Sequence, residues 1–264
     1  TQSELFLLYQ PVIDLASNQV TGLEALIRWQ HPEKGILTPE HFINIAEFNG
    51  FVDLVDTWVI RKICLDLKQL AQTEPQLAIS MNCSAMNMNN ERFITETVHI
   101  LHEERIDHKL FRLEISEAIL FEYRHKATAF LSRLSHSGIR VIVDDFGSGP
   151  VSLLWLNTLP INEVKLDRCL LMNDSEADNN PVIRAMISMA HHMGWKVTAK
   201  GVENEEQLAF LSANQCDCVQ GYALGKPMRF MEMSAWLQSR KLSNEIIDSV
   251  RHQVNADQHR QDLK

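Results

Sequence analysis

The chain has 264 residues and a mass of 30.3 kDa, which suits one large domain or two small ones because domains average about 150 residues. Hydrophobic residues make up 45% of the chain and charged residues 22%, so it is too apolar to be disordered. Lysine and arginine number 25 against 34 aspartates and glutamates, which gives a net charge of −9. This charge argues against general binding to nucleic acids or anionic membranes, although a few local cations can still hold a small anionic ligand.

The cysteines and the absence of long apolar segments predict the compartment. An odd number of scattered cysteines, 5 in all, is not a disulfide framework and indicates a reducing compartment. No apolar stretch reaches the length of about 18 residues that a membrane span needs. We therefore expect a cytoplasmic domain, either by itself or as the cytoplasmic part of a larger membrane-anchored protein. Because the chain begins with Thr1 rather than Met, we also expect a missing N-terminal sensor or regulatory domain.

Eight short apolar segments alternate with longer segments of helical spacing. The predicted strands are 7–14, 21–29, 77–83, 111–116, 140–145, 163–167, 196–200 and 217–220. Most of them carry nearly continuous Val, Ile or Leu, which is typical of strands buried on both faces. Between them, apolar residues recur at steps of three or four, as in 52–70, which is typical of helices that pack one face against a sheet.

This alternation predicts an α/β fold, either a (β/α)8 TIM-like barrel or an open doubly wound sheet. The ends of the predicted strands favour the barrel, because the carboxyl ends of barrel strands converge on one face where active sites are built. Polar residues stand at or near these ends: Glu24, Asn82, Glu114, Asp144, Lys165, Lys200 and Gln220. We expect the barrel domain to cover 1–239, and 240–264 to form an amphipathic C-terminal helix with a polar tail.

Four carboxylates are predicted to meet at the barrel mouth. Glu24, Glu114, Asp144 and Asp145 cannot all stay ionised there without cations, and Asn82 adds an amide oxygen. Hard oxygen ligands of this kind suit Mg²⁺ or Mn²⁺. The adjacent pair of aspartates is suited to bridging two ions, as in displacement at phosphorus. The alternative is that each acid is a solvated loop end or a helix cap.

Several motifs, taken in order, resemble the EAL family, whose members bind and mostly hydrolyse the bacterial messenger cyclic di-GMP. The resemblance runs from about residue 7 to residue 228. It rests on Tyr-Gln-Pro-Val-Ile-Asp at 9–14, Glu-Ala-Leu-Ile-Arg-Trp at 24–29, Asn-Cys-Ser at 82–84, Glu-Ile-Ser-Glu at 114–117, Asp-Asp-Phe-Gly-Ser-Gly at 144–149, Val-Lys-Leu-Asp-Arg at 164–168, Gly-Val-Glu at 201–203 and Gln-Gly-Tyr at 220–222.

The resemblance implies a two-metal phosphodiesterase scaffold that opens cyclic di-GMP to linear pGpG, with an antiparallel first barrel strand and a homodimer. It also implies a role for each matching residue. The first metal would be held by Glu24, Asn82, Glu114 and Asp144, and the second by Asp144 and Asp145. Lys165 would lie beside the attacking water. The nucleotide would be contacted by Gln10, Arg28 and Gln220, and the neighbouring loops and ligands would be oriented by Glu117 and Glu203.

One position departs from the motif of hydrolytic members. They carry Ala-Glu-Gly-Val-Glu where this chain has Ala-Lys-Gly-Val-Glu at 199–203, so Lys200 replaces a second-metal ligand and candidate general base. An ammonium about 4 Å from a divalent ion is repelled by up to about 8 kcal/mol at an effective dielectric constant of about 20. We therefore expect the first metal site to be retained and the second to be weak or absent. The alternative is that Lys200 points to solvent.

The loop after Asp145 departs as well. The family usually has Gly-Thr-Gly-Tyr-Ser-Ser, whereas 147–152 reads Gly-Ser-Gly-Pro-Val-Ser. This loop couples dimerisation to the metal site in the family, so the coupling is in doubt in this chain. The sequence therefore favours a cyclic di-GMP receptor with weak or absent hydrolysis. A slow or active phosphodiesterase is the alternative, and a protein-interaction domain that has lost the nucleotide is a third.

Overall fold

A computed structural model describes residues 4–149, 152–171 and 180–241. The chain divides into two compact units, Thr1–Pro227 and Met228–Lys264. In the second unit, Met228–Arg229 is a short strand and 230–241 are helical. Most of the predicted C-terminal helix and tail, 242–264, lies outside the described residues, and the domain boundary after residue 239 stays a prediction.

The first unit contains nine strands and eight α-helices among its described residues. The strands are β1 (Leu5–Asp14), β2 (Val20–His31), β3 (Gly35–Leu37), β4 (Ala78–Asn82), β5 (Phe111–Ser116), β6 (Arg140–Phe146), β7 (Glu163–Leu166), β8 (Lys196–Lys200) and β9 (Cys218–Gln220). The helices are α1 (Ile43–Phe48), α2 (Val52–Leu70), α3 (Phe93–Glu103), α4 (Glu117–Glu122), α5 (Arg124–His136), α6 (Leu153–Leu156), α7 (Pro181–His192) and α8 (Glu205–Ala213).

Eight of these strands close into a barrel, in the order β1-β9-β8-β7-β6-β5-β4-β2, with β1 hydrogen-bonded to β2. The closure confirms the predicted TIM-like barrel and excludes the open sheet. The strands from β4 to β9 run parallel, whereas β1 is antiparallel to both β2 and β9, as the resemblance implied. The short strand β3 extends β2 as an antiparallel hairpin that the apolar pattern did not predict.

The predicted apolar patterns account for the packing of the barrel wall. Val141, Ile142 and Val143 in the middle of β6 are buried on both faces of the sheet, which is typical of a parallel strand covered by helices. On α2, the buried stripe includes Val59 and Ile63 and faces inward at the expected spacing. The parallel strands are thereby fixed with their carboxyl ends at one mouth.

Helix caps fix where two of the outer helices begin. The Asn180 side chain accepts from the backbone N–H groups of Val182 and Ile183, and Pro181 is the first residue of α7. Asn204 likewise accepts from the backbone N–H of Gln207 at the start of α8.

No helix in the described part of the chain is long and apolar enough to span a membrane.

Candidate ligand and metal site at the barrel mouth

A buried lysine lies between two glutamates, one within β2 and one near the end of β5. Lys165 Nζ on β7 donates to Glu24 Oε2 on β2 at 2.8 Å and to Glu114 Oε1 on β5 at 2.6 Å. All three side chains are buried. Asn82 Nδ2 at the end of β4 donates to Glu24 Oε1 at 3.2 Å, and Gln220 Nε2 on β9 donates to Glu24 Oε2 at 2.8 Å. Five strands thus contribute polar groups to one cluster.

The two glutamates respond oppositely to this environment. Burial opposes ionisation of Glu24, but the Lys165 ammonium and the hydrogen bonds that Glu24 accepts lower its pKa to about 2. Burial and the nearby charge of Glu24 raise the pKa of Glu114 to about 8, against the attraction of Lys165. Burial disfavours the charged form of Lys165, but the surrounding carboxylates raise its pKa. Lys165 therefore balances the ionised Glu24, while Glu114 is favoured in its protonated form near neutral pH.

The last part of β6 turns two consecutive carboxylates toward Lys200. Register with β7 is irregular between Val143 and Phe146, and Asp145 has a φ of 53°, in the left-handed region that non-glycine residues rarely adopt. Lys200 Nζ lies 2.6 Å from Asp144 Oδ1 and 2.5 Å from Asp145 Oδ1. The Lys200 ammonium therefore contacts both aspartates. The alternative prediction, that Lys200 points to solvent, is wrong.

Burial and nearby charges explain the pKa shifts of Lys200 and Asp144. Burial opposes the charge of Lys200, but Asp144 and Asp145 outweigh it and raise the lysine pKa. Burial also raises the pKa of Asp144, although Lys165 and Lys200 both oppose that shift. The three groups form a partly buried ion cluster.

Three residues predicted to contact a nucleotide occupy the same mouth. Gln220 Nε2 lies 3.4 Å from Gln10 Oε1, and Gln10 Nε2 donates to the backbone oxygen of Gly225 at 3.2 Å. Gln220 Oε1 is buried and has no hydrogen-bond partner among the described residues. Arg28 Nη1 donates to the backbone oxygen of Ile27 at 2.8 Å, and the described part of the chain offers no other hydrogen-bond acceptor to its five N–H groups.

A pocket of about 450 Å³ opens beside Arg28, between β2, β4 and the segment that carries α1 and α2. It is lined largely by apolar side chains, with Asn82 at the mouth and Asp56 among its polar groups. Asp56 is buried and accepts from Asn87 Nδ2 at 2.9 Å. Burial raises the pKa of Asp56 to about 7. A mostly apolar cleft with a few fixed polar groups is typical of a small-molecule site.

The two glutamates predicted to orient neighbouring groups differ in position. Glu117 is buried at the start of α4, and its Oε2 accepts from the backbone N–H of Gly147 at 2.8 Å. It therefore holds the loop that follows β6. Glu203 is exposed, and its backbone N–H donates to Gln207 Oε1 at 2.7 Å. The structure thus gives Glu117 a loop contact and places the Glu203 side chain in solvent.

The donor set at the mouth is chemically suited to one hard cation. Glu24, Asn82, Glu114 and Asp144 offer oxygen ligands, and Glu114 Oε2 is buried without a hydrogen-bond partner among the described residues. In the arrangement described, however, no three His, Cys, Asp or Glu side chains of residues 4–149, 152–171 and 180–241 are grouped to ligate a metal. Lys165 donates to two of these candidate ligands, Glu24 and Glu114.

Some polar groups of the site were not predicted. Ser80 on β4 donates to Glu114 Oε1. It stands two residues before Asn82, and the alternation of side chains along a strand therefore places both residues in one row. The pairing of Asp56 with Asn87 joins a helix to a 3₁₀ turn across 31 residues. No local sequence signal indicates that contact.

An eight-stranded TIM-like barrel with an antiparallel first strand, a carboxylate-rich mouth and an adjoining apolar pocket defines the class of protein. The EAL domain profile matches residues 1–227, and the chain belongs to the EAL domain family. It is 37% identical to the cyclic di-GMP phosphodiesterase NbdA of Pseudomonas aeruginosa over 238 residues, 89% of this chain but 30% of NbdA. The chain thus spans about a third of that relative.

Solved structures show the same architecture. The PaMucR phosphodiesterase in complex with c-di-GMP superimposes with a TM-score of 0.83 at 29% identity, covering 88% of this chain and 95% of that one. The FimX EAL domain from Pseudomonas aeruginosa, bound to c-di-GMP, gives a TM-score of 0.77 at 23% identity, covering 86% and 91%. The second likeness concerns the fold alone.

Proposed function

We propose that this domain binds cyclic di-GMP and hydrolyses it weakly or not at all. The observation that carries the proposal is the position of Lys200, whose ammonium contacts both Asp144 and Asp145. In hydrolytic members of the family, the resemblance assigns a metal-ligating glutamate to this position. A lysine there supplies positive charge without a Lewis acid, and it does not supply the base.

The remaining polar groups of the mouth support ligand binding. Arg28 has free donors in a planar fork that matches two oxygens of a phosphodiester. Gln220 has a buried oxygen without a partner among the described residues, so a ligand donor would satisfy it. The apolar pocket beside Arg28 offers a surface for a flat base. Gln10, Arg28 and Gln220 are therefore proposed to contact the nucleotide.

Metal dependence, which the resemblance implies for the family's phosphodiesterases, is proposed for one site only. Glu24, Asn82, Glu114 and Asp144 would hold a Mg²⁺ or Mn²⁺ ion, which would polarise a phosphate oxygen and lower the pKa of bound water. Asp145, the predicted partner of Asp144 in a second site, is instead engaged by Lys200.

The side chains of the chain itself would have separate tasks. Lys165 would stabilise negative charge that develops on the phosphate, because it is held as an ammonium among carboxylates. Glu117 would keep the loop after β6 in place through Gly147. Glu203 is proposed to orient neighbouring groups, although its side chain is exposed and its described contact is from the backbone N–H to Gln207.

A working phosphodiesterase is the second candidate function. The intact set of Glu24, Asn82, Glu114 and Asp144 around Lys165 favours it. In that case Lys200 would leave the aspartate pair when metal and substrate bind. At the level of the whole protein, we further propose a cytoplasmic location, a homodimer and an additional sensor or regulatory domain, since NbdA is about three times as long as the matched region.

The test is turnover of cyclic di-GMP by the purified 264-residue chain in Mn²⁺, with pGpG followed by chromatography. Lys200→Glu is measured alongside, and Lys109→Glu is the matched control because Lys109 is exposed and remote in the fold from the barrel mouth. We expect the parent and the control to be at least about 100-fold slower than the Lys200→Glu variant, a difference of about 2.7 kcal/mol in the barrier.

Binding of cyclic di-GMP is measured by calorimetry on the same preparations, so that a lack of turnover is not confused with a loss of ligand binding. Parent turnover equal to that of Lys200→Glu would establish the phosphodiesterase instead. Absence of binding to the parent at high micromolar cyclic di-GMP would favour a protein-interaction domain without nucleotide.

A further inference from the structure

The amino-terminal ends of neighbouring barrel strands carry a cluster of cations, at the end opposite the mouth. Arg112 is the second residue of β5, and Arg140, Glu163 and Lys196 are the first residues of β6, β7 and β8. Each stands two or four residues before a polar residue of the mouth on the same strand. Because side chains alternate along a strand, these four occupy the same rows as the mouth residues, at the other end of the barrel.

These side chains surround a small, largely enclosed cavity of about 40 Å³. On the scale where one water molecule needs about 10–15 Å³, it has room for a few waters or one small ion. Asn162 also lines it, and its Oδ1 is occupied by the backbone N–H of Val141 at 2.9 Å. Within the described residues, the N–H groups of the Asn162 amide make no hydrogen bond, so they are available to a ligand.

The guanidinium of Arg112 has unused donors inside the cavity wall. Its Nη1 lies 3.6 Å from Glu163 Oε2, which is an ion pair but too long for a hydrogen bond. Arg112 Nε is buried and has no hydrogen-bond partner among the described residues. Glu163 turns its other oxygen to Thr198 Oγ1 at 2.6 Å. A buried N–H without an acceptor is destabilising and calls for a water or an anion.

The lining of the cavity has an excess of positive charge. Three cations face one carboxylate, so the sum is 3 − 1 = +2, in a chain whose net charge is −9. Arg112 and Arg140 are register partners on adjacent strands, so their like charges repel. Arg140 and Lys196 are exposed and make no ion pair within the described part of the chain. Asp14 attracts Lys196 but does not line the cavity.

We infer that this cavity is a binding site for a small oxyanion, with inorganic phosphate or a carboxylate as the chemical class. Arginine grips such groups through paired N–H donors, and a lysine at the rim adds a point charge. An oxyanion would accept from the Arg112 guanidinium, which lines the cavity, and would also screen the repulsion between Arg112 and Arg140. A water molecule would do only the first, and the site does not depend on what binds at the mouth.

The test uses the 264-residue chain and titrates inorganic phosphate by calorimetry at constant ionic strength and pH. The double variant Arg140→Gln/Lys196→Gln removes the exposed cations, and Arg92→Gln/Arg124→Gln removes two exposed cations away from the amino-terminal ends of the strands. We expect the phosphate dissociation constant to rise at least tenfold in the first pair and to stay unchanged in the second. Cyclic di-GMP affinity is the readout that should not change in either.

Further arms separate the sources of the signal. Arg28→Ala should retain phosphate binding, because Arg28 lies at the mouth. Sulfate that binds like phosphate assigns the site to tetrahedral oxyanions, whereas acetate that binds without sulfate assigns it to carboxylates. Absence of phosphate, sulfate and acetate binding to the parent, or equal binding by the Arg140→Gln/Lys196→Gln variant, would overturn the inference in favour of a water-filled cavity.

Discussion

Lys200 Nζ lies 2.6 Å from Asp144 Oδ1, inside a carboxylate cluster where the resemblance implies a divalent ion. The two aspartates keep Lys200 in its charged form, because they raise the lysine pKa against the cost of desolvation. In the function proposed above, this covalently attached cation would take the place of the second metal of a hydrolytic relative. The proposal therefore links one residue of the sequence to the balance between binding and hydrolysis.

Ligand binding should survive removal of divalent metal. With Lys200 supplying charge beside Asp144 and Asp145, we expect the dissociation constant for cyclic di-GMP to change less than threefold in excess EDTA. In Lys200→Met the same chelator should weaken binding at least tenfold, because the aspartate pair then faces the phosphate without a cation. Calorimetry with and without Mg²⁺ measures both. Loss of parent binding in EDTA would contradict the charge-substitution argument.

Replacing Lys165 should destabilise the fold. Lys165→Met leaves Glu24 and Glu114 buried without their ammonium partner, and breaking a buried pair costs about 3–5 kcal/mol. Urea unfolding at pH 7 should show this loss. The loss should shrink at pH 4, because burial without Lys165 raises the pKa of Glu24 and lets it take up a proton there.

The matched control for this prediction is Lys68→Met, which breaks an exposed ion pair with Glu104. We expect a change within about 1 kcal/mol there, because solvent screens exposed pairs. Equal effects of the two substitutions would show that Lys165 is not stabilised by its buried carboxylates.

Much of the mouth could be predicted from the sequence because parallel strands end at one face. That rule places Glu24, Glu114 and Asp144 together once eight strands are recognised. It does not give the contact between Lys200 and Asp145, which depends on a register irregularity and a positive φ that no spacing encodes. The antiparallel direction of β1 likewise came from the resemblance, since its apolar pattern is the same for either direction.

The row that holds the amino-terminal cations follows from the sequence. Arg112 stands two residues before Glu114 and Arg140 four residues before Asp144, so a period of two places each cation in the same row as a mouth carboxylate. Charges at the start of a buried strand are usually interpreted as solvated ends. The enclosed geometry that they share with Lys196 emerges only when the strands are brought into register.

Asp56 should make stability depend on pH. Burial raises its folded-state pKa to about 7 from the ordinary value of 3.8, so the folded state binds a proton that the unfolded state releases. The contribution is fully present below about pH 3.8 and is lost as the pH rises through about 7, at up to about 1.4 kcal/mol per pH unit. Asp56→Asn should remove this slope, as measured by urea unfolding between pH 4 and 8.

Glu122→Gln is the control for the titration, because Glu122 is exposed at the end of α4 and is not among the charges that shift the pKa of Asp56. Its unfolding free energy should follow the pH dependence of the parent. A parent slope that persists in Asp56→Asn would assign the titration to another group, such as Glu114.

The turn after β9 should not tolerate a side chain at Gly221. A Cβ there would overlap the backbone oxygen and nitrogen of Val202, which are held by the barrel and cannot move aside as a flexible side chain would. We expect Gly221→Ala to lower the free energy of unfolding by about 1–3 kcal/mol or more, since forced overlap displaces backbone. Because Gln220 precedes this turn, cyclic di-GMP affinity should fall as well.

Gly22→Ala is the matched control, because its Cβ would meet other atoms only at 3.6 Å, an ordinary contact distance. It should change the free energy of unfolding and the cyclic di-GMP affinity little. If thermal unfolding and calorimetry find the two alanine variants equal, the close approach of Gly221 to Val202 is not a constraint on the site.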